Sequence, residues 1–201
     1  MEYFNKAKAV KLRSHLGKYL VGDEDQDKIH QSRKGSTKKA IWVVELVEGK
    51  SHRVRLRSCH GRYLTATDMP FLLGMTGDKV VQAELDAGLD WKYEWEPIRE
   101  GLQVKLRSWC GKYLRGNGGT PPWRNSITHD DPYSSKTHNW ILWGVEAVEF
   151  SEKKGFFAES VVSSSDSDEI LGSEPPSPMS VSSVESSLLS HNSKLKVRVH
   201  V

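Results

Sequence analysis

The chain has 201 residues, of which 37% are hydrophobic and 27% are charged, and its mean hydropathy is -0.56. No window holds the ~18 consecutive apolar residues that a transmembrane helix requires, so we expect a soluble protein that does not enter a membrane. The two cysteines are too few for a disulfide framework.

Charge and aromatic residues divide the chain near residue 150. Residues 1–150 carry 24 Lys and Arg against 19 Asp and Glu, whereas residues 151–201 carry 5 against 7. All seven Trp and all six Tyr lie in the first part. We therefore predict one folded domain over residues 1–150. Lys6 and Lys8 lie where a secretory signal would have its apolar run, so a cytoplasmic location is expected.

An internal repeat organises the first 150 residues. The sequence VKLRSHLGKYL at residues 10–20 returns as VRLRSCHGRYL at 54–64 and as VKLRSWCGKYL at 104–114. The starts are 44 and 50 residues apart. Three units of about fifty residues therefore cover residues 1–150.

Each unit begins with a predicted hairpin. In the first unit, Val10 and Leu12 alternate with Lys11 and Arg13, which is the period of a strand with one buried face. A Ser-x-x-Gly sequence follows, and its glycine suits the positive φ that closes a bulged hairpin. The three glycines are Gly17, Gly61 and Gly111. In the returning strand we expect the leucines to face inward and the tyrosines to lie on the outer rim. These residues are Leu20, Leu64 and Leu114, and Tyr19, Tyr63 and Tyr113.

The rest of each unit predicts two more strands. A weaker third strand is expected at residues 29–31, 80–82 and 126–128, and an apolar segment around Trp42, Trp95 and Trp140 supplies the fourth. Units this small must share one core, and closure into a barrel removes exposed strand edges. The sequence thus predicts an all-β fold, a β-trefoil of twelve strands in three repeats.

The remaining residues have a different composition. Residues 151–193 are rich in Ser, Pro and acid, and the chain has no aromatic residue after Phe157. Such a segment buries too little apolar surface to offset its ordering entropy, so we expect a disordered linker or tail. The last eight residues, KLKVRVHV at 194–201, alternate strictly and predict a short amphipathic basic strand.

The repeated motif also carries a family resemblance. Together with MPFLLGMTGDK and GGTPPWRNSITHD, it resembles a plant domain-of-unknown-function family of fascin-like, actin-cross-linking-like β-trefoil proteins. The resemblance covers residues 1–150. It implies a trefoil and a non-enzymatic protein-interaction module that binds or cross-links actin filaments. It supplies no catalytic residue.

The sequence gives no independent sign of an enzyme, cofactor or metal. The acidic run over residues 23–27 begins like a calcium loop, but Lys28 and Lys34 occupy the positions of its glycine and glutamate. No histidine or cysteine spacing is of the zinc type. Cys59 and His60 are adjacent turn residues, and neighbours on an extended chain point to opposite faces, so they do not form a nucleophile and base.

A protein-binding surface is the first functional hypothesis. The hairpins carry nine basic residues, and long-range attraction would favour an acidic partner such as an actin filament. The alternative interpretation is that these are the solvated faces of half-buried strands. The candidates are Lys11, Arg13, Lys18, Arg55, Arg57, Arg62, Lys105, Arg107 and Lys112.

A carbohydrate-binding, lectin-like trefoil is the second hypothesis. Trp123 with Asp130 and Asp131 would supply the exposed aromatic ring and the acids of a sugar site. The repeated Gln-x-Trp of ricin-type lectins is absent, since the residues two before the repeat tryptophans are Ala40, Tyr93 and His138. The modest positive charge of the first 150 residues does not favour nucleic acid as a partner.

Overall fold

Twelve strands in three sets of four confirm the predicted all-β trefoil. The computed structural model describes residues 2–25, 27–131 and 135–149, which belong to a compact unit that spans Met1–Lys153. The predictions of a disordered segment over 151–193 and of a strand over 194–201 lie outside the described residues.

The elements follow the repeat. A short helix α1 (Glu2–Lys6) precedes the first set, β1 (Ala9–Ser14), β2 (Tyr19–Gly22), β3 (Ile29–Ser32) and β4 (Trp42–Leu46). The second set is β5 (Val54–Arg57), β6 (Tyr63–Pro70), β7 (Asp78–Ala83) and β8 (Glu96–Glu100). The third is β9 (Gln103–Arg107), β10 (Tyr113–Gly116), β11 (Ile127–Asp130) and β12 (Trp143–Val148). Short 3-10 helices lie at Lys38–Ala40, Leu72–Gly74, Asp90–Tyr93 and Ser135–Ile141.

Six strands close into a barrel and six form its cap. The barrel pairs β1 with β4, β4 with β5, β8 with β9, β9 with β12, and β12 with β1. A bridge between Val54 and Trp95 joins β5 to the start of β8. The other strands form the hairpins β2–β3, β6–β7 and β10–β11. The hairpins meet one another through β7–β11 pairing and a bridge between His30 and Ser126.

The first turn of each repeat has the predicted conformation. Gly17, Gly61 and Gly111 have φ of 66°, 77° and 87°. Each glycine N–H donates to the serine carbonyl three residues earlier, at 2.9 to 3.1 Å, and the serine N–H donates across the loop at 2.7 Å. Positive φ at these sites is costly for any residue with a Cβ, which explains the recurring glycine.

One buried hydrogen bond recurs in every repeat. The indole N–H of Trp42, Trp95 and Trp143 donates to the carbonyl of Leu20, Leu64 and Leu114 at 3.1, 2.9 and 2.9 Å. The three leucines are fully buried, as predicted, and Tyr19, Tyr63 and Tyr113 are half-buried at the rim.

The third of these tryptophans corrects the sequence alignment. The equivalent residue is Trp143, which is fully buried at the start of β12, whereas Trp140 lies in the preceding 3-10 helix. The apolar stretch contains both tryptophans, and only the position at which β12 begins distinguishes them. The residue two before Trp143 is Ile141, so the Gln-x-Trp pattern is absent in this alignment also.

Candidate functional site

Ion pairs neutralise most of the basic side chains that the sequence assigns to a partner-binding face. Among the described residues, Lys11, Arg13 and Lys18 form no ion pair with a carboxylate. The other six do: Arg55 with Asp90 and Glu94, Arg57 with Glu45, Arg62 with Asp27 and Glu84, Lys105 with Glu100, Arg107 with Glu96, and Lys112 with Asp78. The nine residues therefore do not present one uniform cationic face.

Lys18, Arg62 and Lys112 occupy the same position in the three hairpins, one residue after the turn glycine. Carboxylate oxygens lie 3.7 and 3.8 Å from the Arg62 guanidinium and 2.6 Å from Lys112 Nζ. Lys18 Nζ instead donates to the neutral amide oxygen of Asn125 at 2.5 Å. The first repeat therefore lacks the acidic partner that its two counterparts have in the described part of the chain.

A pocket of about 220 Å³ opens beside Lys18. Lys18 itself is only 8% exposed, whereas Arg33 and Arg124 are exposed. Within the described residues, neither arginine forms an ion pair with a carboxylate. The lining residues, which we call the cationic pocket, are Leu16, Lys18, Arg33, Gly118, Gly119 and Arg124.

The charges in the cationic pocket repel one another. Burial lowers the pKa of the Lys18 ammonium below its ordinary value of 10.5, and the charges of Arg124 and then Arg33 lower it further. Three neighbouring cations without a counter-acid make a site of positive potential. An anion placed between them would relieve the repulsion and accept hydrogen bonds from their N–H groups.

The β10–β11 loop holds one wall of the pocket in place. Asn117 N–H donates to the Ser126 carbonyl at 3.0 Å, and Asn125 N–H donates to the Asn117 carbonyl at 3.2 Å. Gln31 N–H of β3 donates to the Asn125 carbonyl at 2.8 Å. Asn125 has a φ of 71°, a left-handed conformation that asparagine adopts more readily than most residues. These bonds fix Arg124 and Asn125 opposite the first repeat.

Stacked rings lie behind the glycines of the pocket. His15 stacks on Trp140 with ring centroids 5.8 Å apart, and the Arg115 guanidinium lies 4.9 Å from the centroid of Trp140. A Cβ on Gly118 would lie 3.2 Å from Trp140, so glycine permits this close approach. Burial, followed by the charge of Lys18, lowers the pKa of His15. The pocket therefore has an aromatic support whose histidine favours its neutral form.

The three residues of the predicted sugar site differ in exposure. Asp130 is 1% exposed and accepts a hydrogen bond from Arg115 Nη1 at 3.0 Å, so it does not face an open site as the sequence suggested. Asp131 is exposed and Trp123 is half-buried. The Trp123 indole N–H has no hydrogen-bond partner among the described residues. Of the three candidates, Trp123 and Asp131 remain accessible.

The described residues contain no group of three or more His, Cys, Asp and Glu side chains placed to hold a metal ion. No helix in the described ranges has the length and apolarity needed to cross a membrane.

Sequence reasoning identified Lys18 but not Arg33 or Arg124. Both arginines lie outside the repeated hairpin motif, and Arg124 belongs to another repeat. An alignment of the three repeats that continued past β3 would have shown the difference. Arg33 occupies the position that Glu84 and Asp131 occupy in the other repeats. A basic residue at a position that is otherwise acidic marks the local change in charge.

Solved structures share this fold at low sequence identity. A Caenorhabditis elegans protein of unknown function has a TM-score of 0.59 and 16% identity, over 70% of this chain and 94% of that one. The designed three-fold symmetric protein ThreeFoil has a TM-score of 0.56 and 18% identity, over 70% of this chain and 99% of its own. The Polyporus squamosus lectin, solved with a sialylated epitope, has a TM-score of 0.56 and 16% identity, over 70% of this chain and 49% of its own. At identities this low, the structural likeness shows the fold alone.

No curated protein matches the sequence of this chain. A family model matches residues 1–143, which include all three repeated hairpins and end at the buried Trp143. The chain belongs to the family described as the beta-trefoil domain of unknown function (DUF569).

Proposed function

We propose that this trefoil is a non-enzymatic binding module whose cationic pocket receives an anionic group of a protein partner. The observation that carries the proposal is that Lys18, Arg33 and Arg124 line one pocket and none of them pairs with a carboxylate in the described residues. The equivalents of Lys18 in the other repeats, Arg62 and Lys112, are each paired with an acid. The pocket volume of about 220 Å³ exceeds the ~30 Å³ that one water occupies in the liquid, so an oxyanion fits.

An acidic protein surface suits this pocket. Side chains of Arg33 and Arg124 are exposed, so they meet a partner first, while Lys18 is reached only by a group that enters the pocket. The family resemblance makes the actin filament the first acidic partner to test. The half-buried Lys11 and the exposed Arg13 would add long-range attraction but no specific docking geometry.

A carbohydrate ligand is the second candidate, and the structure restricts its chemistry. Trp123 presents a half-buried aromatic ring and belongs to the same β10–β11 loop as Arg124. A sugar that used both features would need an acidic substituent such as a carboxylate or a sulfate. Neutral glycans do not use the three cations and are not expected to bind.

Inorganic phosphate is the simplest probe of the pocket. In amide NMR spectra of the full chain, added phosphate should shift Gly118, Gly119 and their neighbours in a saturable way, whereas equal ionic strength as chloride should not. Arg33→Glu should abolish the saturable shifts because it places a carboxylate beside Lys18. Lys34→Glu is the matched control, since Lys34 is also exposed but does not line the pocket. Saturable binding that survives Arg33→Glu would contradict the proposal.

Filament co-sedimentation then tests the partner. The wild-type chain and Lys34→Glu should pellet with actin filaments at low salt, and Arg33→Glu should remain in the supernatant. Failure of the wild type to pellet would exclude actin without affecting the phosphate result. An array of acidic and neutral glycans would follow, and binding restricted to acidic glycans would favour the carbohydrate candidate.

A further inference from the structure

A polar side chain occupies the same buried position in each cap hairpin. Gln31, Gln82 and His129 lie opposite Leu20, Leu64 and Leu114 in the strand register. All three are almost fully buried, with exposures of 2%, 0% and 0%. The third repeat therefore has an imidazole where the other two have an amide.

The three side chains make equivalent hydrogen bonds across the cap. Gln31 Nε2 donates to the carbonyl of Asn117 at 2.9 Å, and Gln82 Nε2 donates to that of Asp23 at 2.5 Å. His129 Nε2 lies 2.6 Å from the carbonyl oxygen of Thr67. A carbonyl accepts only, so this contact places the proton on Nε2 and leaves the lone pair on Nδ1. A glutamine at residue 129 would preserve the donor to Thr67.

The free lone pair of His129 faces the turn of the third hairpin. Nδ1 lies 3.1 Å from Ser108 Oγ and 3.7 Å from Cys110 Sγ. Ser108 Oγ also donates to the Lys112 carbonyl at 3.0 Å, which uses its only proton. While the Ser108 hydroxyl donates there, the Cys110 thiol is the donor that remains for Nδ1 or, at 3.4 Å, for Ser108 Oγ, and Cys110 is solvent-exposed.

Charged and titratable groups lie around Cys110 and His129. Burial lowers the pKa of His129, and the charge of Lys112 acts in the same direction, although the Thr67 carbonyl and the charges of Asp78 and Asp130 oppose this effect. The resting ring therefore favours its neutral form, in which Nδ1 carries a lone pair. The Lys112 ammonium attracts a thiolate, and its contact with Asp78 Oδ2 at 2.6 Å holds it in place. Burial raises the pKa of the other thiol, Cys59, and disfavours its ionisation.

We propose that Cys110 and His129 form a reactive thiol–imidazole dyad that exchanges with low-molecular-weight disulfides. His129 Nδ1 takes the thiol proton, and Cys110 Sγ attacks one sulfur of the disulfide. The disulfide S–S bond breaks as the bond to Cys110 forms, and the departing thiolate receives the proton from His129. The products are a mixed disulfide on Cys110 and one free small thiol. This site is independent of the cationic pocket.

The rate of reaction with uncharged dithiodipyridine tests the dyad in the full chain. In Cys59→Ser only Cys110 reacts, and in Cys110→Ser only Cys59 reacts. We expect the Cys110 thiol to react about tenfold faster than Cys59, and His129→Gln in the Cys59→Ser background to remove about that factor. The rate of the Cys59→Ser chain should also level off at lower pH than that of the His129→Gln chain, an effect that a purely structural role would not produce.

The matched substitution supplies the decisive outcome. If Cys59→Ser/His129→Gln keeps a cooperative thermal transition and Cys110 reacts at an unchanged rate, the dyad is excluded. If that variant does not fold, the reaction rate of Cys110 in the native Cys59→Ser chain is compared with its rate in the same chain unfolded by urea. The dyad requires the native thiol to react faster than the unfolded one at neutral pH, and a slower native thiol would overturn it.

Discussion

Arg33 occupies in the first repeat the position that Glu84 occupies in the second. Tyr19 pairs with Ser32 and Tyr63 pairs with Ala83, so the next residue in each case is structurally equivalent. Glu84 lies 3.8 Å from Arg62. By contrast, the pKa of Lys18 is lowered first by burial, then by the charge of Arg124 and then by that of Arg33. The same backbone position thus completes an ion pair in one repeat and opposes a cation in another.

Arg33→Glu should therefore stabilise the unliganded domain. It replaces a repulsion near Lys18 with an attraction of the kind that Glu84 makes, and exposed pairs of this type contribute about 0.2 to 1 kcal/mol. We expect the free energy of unfolding in urea to rise by about 0.5 kcal/mol at low salt. Lys34→Glu, with the same change in net charge, should leave it unchanged. A decrease with Arg33→Glu would contradict the electrostatic account of the pocket.

The turn glycines give a second prediction. A Cβ at Gly61 or Gly111 would meet no atom within 4 Å, so any cost of alanine there comes from positive φ alone. Gly61→Ala and Gly111→Ala should each lower the free energy of unfolding by about 1 to 2 kcal/mol. Gly88 is exposed and has no positive φ, so Gly88→Ala should be neutral or slightly stabilising. Equal thermal midpoints for all three variants would remove the conformational explanation.

The third prediction concerns the repeat tryptophans. Trp143→Phe leaves the buried Leu114 carbonyl without its donor, which costs about 1 to 3 kcal/mol in addition to lost packing. Trp140→Phe should cost less, because Trp140 is half-buried and stacks on His15 at the surface of the cap. Urea unfolding of the two variants distinguishes them. A larger loss for Trp140→Phe would mean that the repeats had been aligned on the wrong residue.

The fold was predictable because its determinants are local. The alternation of Val10 and Leu12 with charged residues and the positive-φ glycine at residue 17 recur three times in the sequence, and three equal units have few ways to share a core. The Trp140 assignment was wrong because both tryptophans lie in one apolar stretch. Which of them enters the core depends on where the preceding 3-10 helix ends, and no local pattern shows this.

The cationic pocket was not predictable because closure of the trefoil creates it. Arg33 and Arg124 are distant in sequence, and they meet because β3 and the β10–β11 loop pair across the cap through His30 and Ser126. Counting basic residues in the hairpins found Lys18 together with eight others. Only the tertiary arrangement of acids shows which cations remain unpaired.

The last prediction is a loss of stability in mild acid that depends on His129. Burial is the main cause of its lowered pKa in the folded chain, while in the unfolded chain the ring titrates near its ordinary value of 6.5. As the pH falls below about 6.5, the unfolded chain therefore binds a proton that the folded chain resists, and the free energy of unfolding must decrease. Above that pH both states hold a neutral ring, and His129 makes no pH-dependent contribution. His129→Gln keeps the donor to Thr67 but cannot titrate, so the free energy of unfolding of this variant should depend less on pH between about 6.5 and the lowered pKa.

His138→Gln is the control, because His138 is partly exposed and contacts Glu100 at 2.9 Å. Urea unfolding from pH 7 to about 5 measures all three proteins, and parallel pH dependences for wild type and His129→Gln would show that another group causes the acid sensitivity.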